Sequence, residues 1–178
     1  YLRTRMALEN GADVVLELPV YYSLGSAEYF AQGAVSLLDK LGVIDYLHFG
    51  SECGNLQSLQ EIASILSSES DTYVTYLKEY QKKGESFASA RYYALMQELS
   101  SEKAALTKEP NNTLAIEYIK ALMMRQSSIQ PVTLKRQGNG YNAPSLNNEL
   151  ASASAIRNFM QDKQADYARL ANQVPSSV

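Results

Sequence analysis

Two apolar runs flank one helical stretch near the start of this chain, and that order constrains the fold more than any other feature. The first run, Asp13-Val14-Val15-Leu16-Glu17-Leu18, is halted by Pro19; the second, Val43 to Phe49, ends at Gly50. An unbroken Val/Leu run, without polar alternation, suits a strand covered on both faces, as in a parallel sheet. Between the runs, Ala27 to Leu41 carries Phe30, Ala34, Leu37, Leu38 and Leu41 at helical spacing, with Ser26 as its cap and Gly42 as its stop. Strand, helix, strand is the βαβ unit, and its crossover is expected to be right-handed.

The remainder of the chain extends this pattern. Arg3 to Asn10 reads as an amphipathic helix stopped by Gly11. Asn55 to Leu66, Thr72 to Gln81 and Phe87 to Leu99 read as consecutive helices, the last two rich in tyrosine. Ser100 to Glu109 reads as a polar link, and Asn112 to Met124 as a helix with Leu114, Ile116, Ile119 and Leu122 inward. Pro131 to Lys135 is expected as a third strand. Gln137 to Glu149 holds Gly138, Gly140, Pro144 and several Asn, the composition of a mobile loop. Ser152 or Ser154 is placed to cap a helix running through Met160, and Asp166 to Ala171 to add a short last one.

Composition narrows the function. No apolar run approaches the about 20 residues of a membrane-spanning helix, and the opening Tyr1-Leu2-Arg3-Thr4-Arg5-Met6 has no signal-peptide pattern. A single cysteine rules out an internal disulfide framework and fits a reducing, cytoplasmic setting. With one His and one Cys, a structural zinc site or a Cys-His nucleophile pair has little to be built from, so neither His48 nor Cys53 receives a catalytic role. A net charge of −3 has the wrong sign for gripping nucleic acid over most of the surface, which leaves room for a local basic patch. The abrupt start without Met and the polar end around Pro175 read as an interior piece of a longer protein.

Four short motifs carry the chemistry. Gly50-Ser51-Glu52-Cys53-Gly54 follows a strand and precedes a helix, where glycine lets backbone approach a ligand; taken alone, Gly50 merely turns the chain. Asn111-Asn112 after Pro110 reads as a helix cap, but one Asn suffices for that, and the other is free to read a purine edge or ribose hydroxyl. Lys135-Arg136 ends a strand, where a guanidinium fork suits a phosphate and a solvated basic pair is the plainer reading. Ser152-Ala153-Ser154-Ala155-Ile156-Arg157 sets two hydroxyls at a helix start and an Arg one turn on, either a phosphate cradle or a capped helix with a surface Arg. The tyrosines read as core and rim residues, with base stacking as the alternative.

In order, RTRMALENGADVVLELP, SAEYFAQGAVSLLDKLGV, FGSE, PNNTLAIEYIKAL, PVTLKR and SASAIR resemble the tRNA(Met) cytidine acetate ligase family over nearly the whole chain. The resemblance implies an α/β fold: a Rossmann-like nucleotidyltransferase parallel sheet with helices on both faces and a helical insertion. It divides the chain into residues 1–54 as the first part of that domain, 55–109 as a mainly helical insertion, and 110–178 as its second part. It implies activation of acetate by ATP to acetyl-adenylate, then acetyl transfer to N4 of the wobble cytidine of elongator tRNA(Met). Gly50, Asn111 and Arg136 match ATP-binding positions, and Ser152, Ser154 and Arg157 match a phosphate-handling element. In that element, Ala151, Ala153 and Ser154 stand where the family pattern has Ile, Ser and Thr.

Mg²⁺ is implied with ATP, without a ligand that can be named. Arg3, Arg5, Lys135, Arg136 and Arg157 are candidates for tRNA contact; no membrane and no obligate protein partner are implied. The family's HxGH-type loop has no match here, since the only His is His48, so no catalytic residue is assigned and the chain alone is expected to be inactive and poorly stable. Two other readings compete: a non-catalytic nucleotide- or RNA-binding module, and a nucleotidyltransferase that adenylates another small substrate.

Overall fold

The structure is a computed structural model, and it describes residues 1–137, 151–161, 166–171 and 173–174. The chain divides into two compact units: Tyr1–Glu17 with Gln137–Val178, and Leu18–Arg136. The loop expected between 137 and 149 lies, from residue 138 on, outside the described residues.

In the larger unit, α2 (Val20–Ser23) leads into α3 (Ala27–Leu41). Ser26 Oγ accepts from Tyr29 N at 3.5 Å, and Gly42, at φ 67°, closes the other end in the left-handed region that glycine adopts without strain. Strand β1 (Tyr46–Ser51) follows, then α4 (Leu56–Ser68), α5 (Asp71–Lys82), α6 (Phe87–Leu95) and α7 (Ser101–Ala105). A 3-10 turn, Leu106–Lys108, leads to α8 (Pro110–Arg125) and then β2 (Gln130–Lys135). The two strands pair in parallel from Tyr46 opposite Gln130 to Ser51 opposite Lys135. Five α-helices, α4 to α8, lie in the crossover between them, so this is an α/β fold with a parallel sheet.

One apolar core joins the sheet to these helices. Phe49 of β1 and Ala115, Ile116 and Ile119 of α8 pack with Leu59, Ile62 and Ala63 of α4 and Leu95 of α6, all at most 8 % exposed. A second cluster, Val35, Ala121, Leu122 and Ile129, fastens α3 to the other side of α8. α8 is therefore buried on two faces, which accounts for its having buried residues in every turn from Ala115 to Leu122.

The smaller unit holds α1 (Leu2–Glu9), α9 (Ala153–Gln161) and a 3-10 turn, Tyr167–Leu170. No residue of α1 is buried, so its expected amphipathic character has no packing counterpart among the described residues.

Several expectations are corrected. Residues 13–18 form no strand: Val14, Val15 and Leu16 are exposed, and no described strand pairs with this segment. Apolar content alone does not make a strand, because backbone N–H and C=O groups need a neighbour to bond. The parallel unit is instead β1–β2 across the helical crossover. Strand β1 begins at Tyr46, not Val43, and extends through Gly50 and Ser51 because β2 reaches that far alongside it. Residues 101–108 are helical where a polar link was expected, with Ser100 Oγ capping Lys103 N at 3.3 Å. Helix α6 ends at Leu95, four residues before Leu99.

Candidate functional site

The parallel register sets Gly50 opposite Leu134, near the carboxyl end of both strands, where open α/β sheets take ligands. Arg136 leaves β2 there, its N–H donating to Ser51 O at 2.9 Å, and its side chain lies over Gly50. A Cβ on Gly50 would stand 3.3 Å from Arg136 Cγ, a contact that forces the arginine to give way. Glycine therefore leaves room for the exposed Arg136 side chain beside the end of the strand.

Below this edge the loop is tied to the sheet. Ser51, fully buried, shares a 2.7 Å hydrogen bond with Thr133 Oγ1, and its Oγ accepts from Gly54 N at 3.0 Å. Gly54 has φ 62°, and a Cβ there would meet Lys135 Cβ at 2.5 Å. Both the backbone conformation and the proximity of β2 require glycine.

The loop is also tied to α8, through Glu52. One oxygen, Oε1, accepts from Asn111 N at 3.1 Å and Asn111 Nδ2 at 2.6 Å; the other, Oε2, accepts from Asn112 N at 2.7 Å. Asn112 Oδ1 in return accepts from Cys53 N at 3.1 Å. A carboxylate on the free N–H groups of a helix start is favourable both as a cap and against the helix dipole. Burial pushes the Glu52 carboxyl up, but hydrogen bonds from the Asn111 side chain and the Asn111 and Asn112 amides outweigh it and hold the group below its ordinary 4.5. Glu52 is thus the helix cap. The Asn111-Asn112 cap expected from the sequence is not formed: the helix begins at Pro110, its N-cap residue Glu109 makes no side-chain bond, and both asparagines lie inside the first turn.

The structure therefore brings Gly50 and Arg136 into contact and holds Asn111 by the loop that continues from Gly50. Asn112 is 1 % exposed and turned inward, its Nδ2 without a hydrogen-bond partner, whereas Asn111 is only partly buried. Ser152, Ser154 and Arg157 belong to the smaller unit. There Ser152 Oγ caps α9 by accepting from Ala155 N at 3.1 Å, while Arg157 Nη2 donates to Ser154 Oγ at 3.4 Å. His48 is exposed on β1, its ring 6.3 Å from that of Tyr46. Among the described residues, no group of three or more His, Cys, Asp or Glu could hold a metal ion, and no helix is long and apolar enough to cross a membrane.

Sequence reasoning passed over Glu52 although it lies within the FGSE motif. The available signal was indirect: a helix opening on Glu109-Pro110 carries no Ser, Thr, Asp or Asn before its Pro, so its cap has to come from elsewhere.

A cavity of about 400 Å³ lies elsewhere in the larger unit, lined in part by Glu28, Tyr73, Phe87, Arg91, Glu117 and Lys120. Its charges answer one another. Arg91 Nη2 is 2.8 Å from Glu117 Oε1, and Lys120 Nζ lies 3.7 Å from Glu117 Oε2 and 2.8 Å from Glu28 Oε1. Glu117 is 3 % exposed, and burial raises the Tyr73 hydroxyl pKa above its ordinary value.

A parallel sheet whose carboxyl edge presents a bare glycine and an exposed arginine is the α/β arrangement in which ligands are taken at the strand ends. Within that class, this chain belongs to the HIGH nucleotidyl transferase family, whose profile matches residues 1–178. It is 47 % identical over 166 residues to a tRNA(Met) cytidine acetate ligase of Halothermothrix orenii, and 48 % identical over 170 residues to one of Clostridium kluyveri. These alignments cover 88 % and 92 % of this chain but 39 % and 42 % of the relatives, so the chain spans about two fifths of their length. The crystal structure of Thermotoga maritima TmcAL in its apo form I superposes with a TM-score of 0.92 at 38 % identity, covering 99 % of this chain and 42 % of that one. Form II, bound with alpha-thio ATP, gives 0.87 at 37 % identity, covering 99 % and 41 %.

Proposed function

We propose that the carboxyl edge of the β1–β2 pair is an ATP site, and that the chain is part of an ATP-dependent ligase that acetylates elongator tRNA(Met). The observation that carries this reading is the contact of Arg136 with Gly50 beside the Glu52-bound start of α8. The alpha-thio ATP in the Thermotoga maritima neighbour and the ligase names of the relatives support it. Gly50, Asn111 and Arg136 are the proposed nucleotide contacts. Ser152, Ser154 and Arg157 are proposed for phosphate, on the strength of a capped helix start that carries an arginine. The division at residues 54/55 and 109/110, and a cytoplasmic setting, belong to the same reading.

The chemistry proposed for the whole enzyme is adenylation followed by transfer. An oxygen of acetate attacks the α-phosphorus of ATP, the bond to the bridging oxygen breaks, and pyrophosphate leaves with its electron pair. The N4 amine of the wobble cytidine then attacks the acetyl carbonyl, loses a proton, and AMP departs. Neither step needs a protein nucleophile; both gain from donors fixed where charge develops. Arg136 supplies such a donor, and Gly50 leaves the room for it. Mg²⁺ is proposed to arrive with the phosphates, since ions of this kind keep most of their ligands as water and phosphate oxygens.

Acetate-dependent exchange of labelled pyrophosphate into ATP by the full-length enzyme tests this. Exchange with acetate is expected. Exchange only with another small acid would favour a different nucleotidyltransferase, and ATP binding without exchange of any kind would favour a binding module.

A further inference from the structure

On the ATP-site reading above, we infer that Asn112 is a positioning residue of the nucleotide site. It fastens the main chain of the Gly50–Gly54 loop to the first turn of α8, and so fixes where Gly50 and Arg136 stand relative to Asn111. Asn112 itself is 1 % exposed, too deeply buried to meet a nucleotide. The orientation of its amide follows from one bond. Cys53 N lies 3.1 Å from Asn112 Oδ1, and a backbone N–H only donates, so the oxygen end has to face the loop. The NH₂ end is then left inside the fold, where it has no hydrogen-bond partner among the described residues. A buried amide satisfied at one end is costly, and an apolar side chain of similar shape would occupy the space without an unpaired N–H. The bond to Cys53 is what distinguishes asparagine from such a residue here.

Other ties locate the loop, and none replaces this one. Arg136 N donates to Ser51 O at 2.9 Å, Gly54 N donates to Ser51 Oγ at 3.0 Å, and Ser51 Oγ meets Thr133 Oγ1 at 2.7 Å. These hold the loop to β2 and not to α8. Glu52 accepts from Asn111 N, Asn111 Nδ2 and Asn112 N, but through a side chain with three rotatable bonds, so it caps the helix without fixing its own main chain. Among the described residues, Cys53 N to Asn112 Oδ1 is the one hydrogen bond that joins the loop's main chain to α8. Asn111 precedes Asn112 on the same turn, and Gly50 lies three residues before Cys53. The bond therefore spans the two halves of the proposed site. Without it, they are joined by the Glu52 side chain and by the apolar packing of Phe49 with Ala115 and Ile116. A ligand gripped from both halves is sensitive to a misplacement of about 1 Å in either.

Asn112→Leu is the informative change, because it removes the amide oxygen and keeps a side chain branched at the same carbon. The test uses the full-length enzyme and its Asn112→Leu, Leu59→Ala and Arg136→Ala variants, each held below its own melting temperature. Two quantities are measured: equilibrium binding of ATP, and hydrogen exchange of the peptide containing Cys53, followed by mass spectrometry. Asn112→Leu is expected to bind ATP about tenfold more weakly and to exchange faster in that peptide. Leu59→Ala loses core packing in α4 but no hydrogen bond of the loop, so its ATP affinity should stay within about twofold of the unaltered enzyme. Unchanged ATP affinity in Asn112→Leu overturns the inference. So does weaker binding with unchanged exchange, which would place the effect outside the loop. Equal weakening by Leu59→Ala also overturns it, since affinity would then follow general stability. If Asn112→Leu does not fold, Asn112→Ala decides by the same two measurements; if neither folds, Asn112 is needed for folding and the inference fails. An Arg136→Ala variant with unchanged ATP affinity overturns the ATP-site reading itself, and the inference with it.

Discussion

Glu52 holds three donors with two oxygens, and its removal leaves them unpaired at a partly buried helix start. Glu52→Ala is expected to cost roughly 1–3 kcal/mol of unfolding free energy, measured by urea titration. The pH dependence has a definite sign. Because the folded pKa lies below the ordinary 4.5, the stabilisation is fully present above 4.5 and is lost as pH falls through the depressed folded value. The difference in melting temperature between the unaltered chain and Glu52→Gln should therefore be constant at neutral pH and narrow below 4.5. Gly54→Ala places a Cβ in a left-handed conformation and 2.5 Å from Lys135 Cβ, so a loss of roughly 1–3 kcal/mol is expected in the same titration. Glu117→Ala strands Arg91 beside a buried vacancy and leaves Lys120 with Glu28 alone, and roughly 3–5 kcal/mol should be lost. None of these three roles could be read from the sequence. Glu52, Gly54 and Glu117 each act on residues far along the chain, and a single sequence carries no trace of which distant group a carboxylate faces.

Elements were readable where local chemistry decides them. Ser26 and Gly42 bound α3 as their residue types dictate, and Asn55 caps α4, its Oδ1 accepting from Ser58 N at 3.0 Å. Where tertiary context decides, the sequence misled. Val14 to Leu18 has strand composition and no described strand beside it. Helix α7 has a single buried residue, Ala104, and so shows no periodicity, although Ser100 was a usable cap signal. The start of α8 was misplaced because a Pro at the first helical position, with a cap supplied from a distant loop, looks like a linker. The crossover helices share one core with β1 and α8, so a cut in α4 should be felt throughout the larger unit. Leu59→Ala, at a position with no exposure, is expected to cost roughly 2–5 kcal/mol and to lower the midpoint of a single transition rather than release α4 alone.

For the whole molecule, the order of six short motifs carried more than any one of them, and the family profile spans the same 178 residues. The division into two compact units was not readable, since one of them joins residues 1–17 to 137–178, segments with no local sequence link. The larger unit contains Gly50, Asn111 and Arg136, and it is there that the account stands or falls. Arg136 is exposed and contributes little to the core, so its loss should not alter folding. Calorimetric titration of ATP into the full-length enzyme and its Arg136→Ala variant is the direct measurement. About tenfold or greater weakening at an unchanged melting temperature is predicted; equal affinity in the two proteins would contradict a nucleotide site at the carboxyl edge of β1 and β2.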